Sequence, residues 1–356
     1  MAKMLFKQGG FKILAEDIAK LPSGKINELI RTAGATCYQT RETIKKTPEE
    51  FIKMLRNRGH LSVLEHSWYC FAVYPSRQIK TELSKIGYRF YQANNLFSIT
   101  ENRERQKLII SGNARMFNEA HARNYDFHVL NMIYAMISFG NRALFPNTIG
   151  RDDSFFNGVI EMNPELILPE EKMSHTAMCV EFNQHCRGFT HEHVRHRLAS
   201  FSQESTRYVD YAKGDVNLDE FQMQFVLPYN NGFDFLKKIE FICNGETYRM
   251  SPADFTDMIE AFYRGLRKAG LKPEEARQWL PIGLKSQIVT TANLKEWRHW
   301  FYMRTTEFAH PEIRWTALNL LRFCKGRWPD LFNDFEFDKA KKDGSECAVF
   351  AGLQTP

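Results

Sequence analysis

The sequence predicts a mixed α/β protein, and three observations carry that prediction. At 356 residues, with 43% hydrophobic and 13% aromatic content, the chain can bury a substantial core and has the length of roughly two domains. Apolar β-type runs recur at 67–74, 176–182 and 288–293. Between them lie segments with helical spacing and explicit start signals.

After a short strand-like opening, residues 24–58 have helical periodicity, with Ile26, Leu29 and Ile30 and later Phe51, Ile52, Met54 and Leu55 in phase. Thr47-Pro48-Glu49-Glu50 starts a helix: a capping hydroxyl, a proline in the first turn, and acids near the positive end of the dipole. Gly59 ends it, and His60 to His66 lead into the strand 67–74. Residues 76–174 read as an insertion or subdomain, with a helix over 78–94, a strand ending at 108–110 and a helix following Ser111-Gly112-Asn113. Ser251-Pro252-Ala253-Asp254 caps a helix through Phe262 and Leu266, and Pro273-Glu274-Glu275 starts another. The strand 288–293 then feeds a helix carrying Trp297, Trp300, Phe301 and Met303. The expected division is 1–79 as the N-terminal part of a catalytic domain, 80–174 as the insertion, 175–330 as the C-terminal part, and 331–356 as a charged, peripheral tail.

The balance of 48 basic against 42 acidic residues gives a net charge of +6, which suits an enzyme that handles phosphorylated small molecules as well as a weak nucleic-acid binder. Seven cysteines, an odd number without a CxxC pair, predict reduced thiols and a cytoplasmic location. No stretch approaches the ~18 apolar residues of a membrane span, so no membrane partner is expected.

The chemistry concentrates in Arg195 to Tyr208, where three arginines, one histidine and four Ser or Thr hydroxyls fall within fourteen residues. Guanidinium forks meet phosphate oxygens in pairs, and hydroxyls fill the remaining acceptor directions. Interleaved Leu198, Ala199, Phe201 and Tyr208 predict packing against a core, unlike a solvated basic run. Five of the eleven histidines (His175, His185, His191, His193, His196) lie within 22 residues and raise a metal site as a rival, but arginine stands where a zincin needs its second histidine. No Gly-x-Ser-x-Gly elbow surrounds Ser202 or Ser205, and neither a dinucleotide-binding glycine fingerprint nor a P-loop is present. A phosphate-rich ligand would be held by side chains, with Arg277, Lys295, Arg298 and Arg304 as further candidates.

These residues stand in an order that resembles the flavin-dependent thymidylate synthases. That family's Arg-His-Arg, seven residues, then Ser appears as RHRLASFSQES, Arg195 to Ser205. GHLSVLEH (Gly59 to His66) is similar to its His-x-Ser/Thr-x-x-Glu-His segment, ARQWLP (Ala276 to Pro281) to its Ala-Arg-x-x-Leu-Pro, and Asn293 to Arg314 to its last helix. The resemblance covers roughly residues 10–75 and 175–325 and says little of the segment between. Three positions depart from the usual pattern: Lys295 replaces an arginine, His299 an asparagine and Gln203 a glutamate.

The resemblance implies a twisted central sheet flanked by helices, and a homotetramer with active sites at subunit interfaces. It implies reductive methylation of dUMP to dTMP, with methylenetetrahydrofolate as carbon donor and NADPH as reductant through FAD. By position, His60, Ser62, Glu65, Arg195, His196, Arg197, Leu198, Asn293, Lys295 and His299 would line FAD. Glu192, Gln203, Ser205, Thr206, Arg207, Arg277 and Arg304 would hold dUMP, with Arg304 the catalytic residue; no metal is implied. Two rivals stand beside this reading: a basic nucleic-acid-binding protein, which lacks any known reader motif here, and a metal-dependent hydrolase built on the His175–His196 cluster.

Overall fold

The computed structural model describes residues 3–5, 9–40, 43–74, 81, 97–123, 128–146, 159–212, 223–227, 234–340 and 344–350. Its organising element is an antiparallel sheet with the strand order Gly10–Ala15, Ala177–Cys186, Lys285–Asn293, Ser200–Gln203. Side chains alternate across a strand, and here the alternation sorts them between two cores. Ala177, Cys179 and Val289 enter one hydrophobic cluster, while Met178, Val180, Phe182, Ile288 and Ala292 enter another. Because both faces are covered, the first six residues of Ala177–Cys186 are all buried. This is why that strand is a continuous apolar run in the sequence instead of an alternating one.

The first face carries helices Ser23–Tyr38 and Pro48–Asn57, the turn Leu61–His66, and a second antiparallel sheet. Residues 24–58, expected to be helical, are two helices. Gln39 takes a left-handed backbone (φ 53°) after the first, and the second opens with a reciprocal cap in which Glu50 N–H donates to Thr47 Oγ1 (3.2 Å) and Thr47 N–H to Glu50 Oε2 (2.9 Å). Gly59, at φ 71°, closes that helix as expected.

The second sheet runs Phe97–Asn102, Lys107–Gly112, Tyr69–Tyr74, Val159–Met162. Tyr69–Tyr74 thus lies between two strands of the expected insertion, and Ile109, Phe117, Ile133 and Phe145 share one core with Ile30, Ile52 and Phe71. The described segments 97–123, 128–146 and 159–174 thus pack against the first core; the expected helix 78–94 lies outside the described residues except for Thr81. A buried ion pair ties this sheet to helix Pro169–His175: Lys107 Nζ lies 3.8 Å from Glu171 Oε2. Burial pushes the Glu171 carboxyl up, but Asn102, the Ile167 and Leu168 N–H groups and Lys107 outweigh it, and its pKa falls below the ordinary value.

The second face carries helices Arg187–His193, Leu294–Arg304 and Pro311–Arg327. The tail expected to be peripheral is part of this core: Phe335–Lys339 and Glu346–Phe350 pair as a hairpin, and Phe335 and Ala348 are buried in the second cluster.

Three buried histidines are bonded to hydroxyls: His66 to Thr291 and Ser202 (both 2.9 Å), His175 to Ser111 (2.7 Å) and Thr100 (2.8 Å), and His193 to Thr290 (2.8 Å). Burial pushes His66 down to about 3, His175 to about 4, and His193 well below its ordinary value. From about pH 6.5 down to about pH 4 the unfolded chain binds protons that the folded chain does not, so stability falls with pH by at most about 1.4 kcal/mol per unit for each histidine. We expect the urea midpoint to be lower at about pH 5 than at about pH 7.5, and the difference to shrink in His175→Gln. A pH-independent midpoint over that window would contradict neutral burial.

Candidate active site

Helix Leu294–Arg304 is aimed by its two ends. Asn293 caps it, with Oδ1 accepting from Glu296 N–H (2.9 Å) and Nδ2 donating to the Ser174 carbonyl (3.2 Å). Arg304 ends it, where the helix dipole favours a cation. Its Nη1 donates to Glu192 Oε2 (2.9 Å), Nη2 to the Glu192 carbonyl (2.8 Å) and Nε to His196 Nε2 (3.1 Å). Burial lowers the Arg304 pKa, Glu192 opposes that, and nearby Arg195 adds to it. Sequence reading separates Glu192 and Arg304 from His196; the structure places them together.

The Arg304 bond also sets the His196 tautomer. Arginine Nε is always a donor, so His196 Nε2 must accept and a neutral ring carries its proton on Nδ1. Nδ1 lies 3.6 Å from Glu296 Oε1, and the His196 and His299 ring centroids are 5.5 Å apart. His196, Glu296 and His299 offer ligand atoms within 4.8 Å of one another. A protonated Nδ1 has no lone pair for a cation, and Arg304 adds positive charge beside it. The wider histidine cluster is dispersed: His175 and His193 bond hydroxyls, His185 Nδ1 lies 3.1 Å from Glu312, and His191 is exposed. The metal-hydrolase rival therefore loses its geometry.

Strand Ser200–Gln203 sits at the sheet edge and presents alternate residues to opposite faces. Ser200 Oγ donates to Glu65 Oε2 (2.9 Å), bringing the 60–66 segment to the residues that follow Arg195, Arg197 and Leu198. Glu65 also accepts from Arg115 Nη1 (2.6 Å). Arg115 escaped sequence reading, because it comes from the segment the family resemblance does not cover. Tyr38 escaped it too: its hydroxyl lies 2.9 Å from His60 Nδ1, and its ring centroid is 4.9 Å from that of Tyr208. Ser62, Arg195, Arg197, Leu198, Lys295 and His299 are exposed.

On the other face, Gln203 Nε2 donates to Thr190 Oγ1 (2.8 Å) and Ser286 Oγ (3.0 Å). Beyond the strand the chain turns toward the first helix, and Ser205 N–H donates to the Cys37 carbonyl (3.1 Å). Arg207 N–H donates to Ser205 Oγ (3.3 Å), Arg277 Nη1 to Thr206 Oγ1 (3.5 Å), and Arg207 Nε to Glu274 Oε2 (3.0 Å). Among the described residues no hydrogen bond or ion pair joins this group to Arg304. Arg304 and Glu192 instead line a cleft of about 880 Å³ together with Phe335, Val349 and Phe350 of the tail hairpin.

The family described as "Thymidylate synthase complementing protein" matches residues 169–330. The chain is 30% identical over 225 residues to a flavin-dependent thymidylate synthase of Corynebacterium diphtheriae, covering 60% of this chain and 83% of that protein. It is 32% identical over 188 residues to one of Corynebacterium glutamicum, covering 50% of this chain and 71% of that protein. Among solved structures, thymidylate synthase X of Helicobacter pylori with FAD and dUMP is similar at 20% identity and a TM-score of 0.32, over 46% of this chain and 74% of that one.

A thiol nucleophile is the remaining chemistry near the site. Cys186 Sγ donates to Glu312 Oε2 (2.8 Å), and the same carboxylate takes the Cys186 N–H (2.9 Å). Burial, then the Glu312 charge, push the thiol up to about 12, so it stays protonated and inert at neutral pH. At about pH 8, alkylation mapped by mass spectrometry should label exposed Cys243 and spare Cys186, with Glu312→Gln raising Cys186 labelling. Fast labelling of Cys186 in the unaltered protein would overturn this assignment.

Proposed function

The chain belongs to the flavin-dependent thymidylate synthase family, and from that premise we propose that it reductively methylates dUMP to dTMP, with methylenetetrahydrofolate as carbon donor and NADPH as reductant through FAD. The observation that carries this reading is the Arg304 guanidinium, fixed by three bonds to Glu192 and His196 in the lining of a cleft.

The residues present fit FAD. Arg195, Arg197 and Lys295 are exposed cations whose side chains make no hydrogen bond or ion pair among the described residues, as a pyrophosphate requires. His196 Nδ1 is a buried polar atom without a hydrogen-bond partner among the described residues. His60, Ser62, Leu198 and His299 complete the proposed lining; Glu65 and Asn293 fix it through their bonds to Ser200 and to the 294–304 helix. When bound, FAD would supply the reducing equivalents that turn the transferred methylene into a methyl group.

For dUMP, Ser205, Thr206, Arg207 and Arg277 form the proposed phosphate set, and Glu192, Gln203 and Arg304 the set around the base. Arg304 would stabilise negative charge on the uracil carbonyl as the ring is polarised toward the methylene carbon. Its cost of orientation is already met by Glu192 and His196. Among the described residues no hydrogen bond or ion pair joins Arg207 or Arg277 to Arg304, which supports a homotetramer whose sites draw Arg304 and Arg207 from different subunits.

The purified protein should absorb near about 450 nm and bleach with NADPH; a colourless protein that does not bind FAD would sink this reading. Arg304→Ala should abolish dTMP formation with flavin retained, whereas a loss of no more than about tenfold in turnover, ~1.4 kcal/mol of barrier, would remove its catalytic role. Mixing inactive Arg304→Ala with inactive Arg207→Ala subunits should restore part of the activity, and no recovery after verified subunit exchange would place both residues in one subunit's site.

A further inference from the structure

Arg304 is followed by a contact with a segment that lies beyond residue 330, where the family match ends. The hairpin there is anchored on several sides. Arg298 pairs with Asp334 (Nη1 to Oδ1, 2.8 Å), and its guanidinium carbon lies 5.1 Å from the Phe335 ring centroid and 4.7 Å from that of Phe350. Arg322 pairs with Glu346, and Arg314 Nη2 donates to Ser345 Oγ (2.6 Å).

A main-chain bond also leaves the hairpin. Ala348 stands opposite Phe337 in the register, yet its N–H donates outward, to the Thr305 carbonyl at 2.9 Å. Thr305 directly follows Arg304 and is 1% exposed, so no water replaces that donor if it is removed.

We propose that the paired strands Phe335–Lys339 and Glu346–Phe350 form a positioning element of the Arg304 site. It fixes the main chain from which Arg304 projects, while Glu192 and His196 fix the guanidinium, and it lines the same cleft. The proposal rests on the role assigned to Arg304 above. With three guanidinium donors engaged, the side chain cannot compensate for a displaced root by swinging to a new rotamer without breaking those bonds. A misplacement of ~1 Å costs up to about a hundredfold in rate.

The test is Ala348→Pro in the full-length holoenzyme, which deletes the outward N–H and leaves the N–H groups inside the hairpin intact. Ala348→Gly keeps the donor and serves as control. Ala348→Pro should keep its flavin, its bleaching by NADPH and its KM for dUMP within about twofold, while kcat falls about tenfold; Ala348→Gly should match the unaltered enzyme. Should Ala348→Pro not fold, Asp334→Asn loosens the hairpin at its other anchor and should lower kcat about threefold with the same split. Unaltered kcat in the folded variant overturns the proposal, as does an equal loss of flavin bleaching and dTMP formation. If Arg304→Ala is itself active, the catalytic reading fails; if Arg304→Ala is inactive and Ala348→Pro fully active, the hairpin's role alone fails.

Discussion

Coverage of the central sheet on both faces is the constraint from which the rest of this structure follows. Apolar side chains must leave Ala177–Cys186 in both directions, so the middle of the sheet has no room for chemistry. Polar groups that do enter it are tied there by histidine-to-hydroxyl bonds at Thr290, Thr291 and Ser202. The proposed functional residues lie instead on the edge strand Ser200–Gln203, the loop before it and the helix end at Arg304.

Much of this was legible in the sequence because it depends on spacing. The start signals at Thr47 and Ser251 survive as helix caps. What was not legible depends on contacts between distant segments. Arg115 reaches Glu65 from fifty residues away, and no local pattern marks an arginine that will be paired. The tail was misread for a related reason. Its charges look like a solvated end, yet Asp334 and Glu346 are the groups that dock it onto arginines of the preceding helices. Asn293, expected at a cofactor, has its side chain committed to capping.

The same sheet divides the site. Ser200 and Gln203 are three residues apart and point to opposite faces, so the Glu65 group and the Arg304 group lie on two sides of one layer. A ligand that touches both must pass around the edge strand or meet them on different copies of the chain.

Thr290 and Thr291 are neighbours on one strand, and each is claimed by a histidine from a different face, His193 by one and His66 by the other. Sliding this strand by a single residue puts one threonine in its neighbour's place and Val289 or Ala292 in the other, so one of the two buried imidazoles is left facing an alkyl side chain. Hydrophobic pattern alone discriminates weakly here, since both faces are apolar. The paired histidines therefore serve folding fidelity: they reject misaligned sheets that oil-like cores on either side would tolerate.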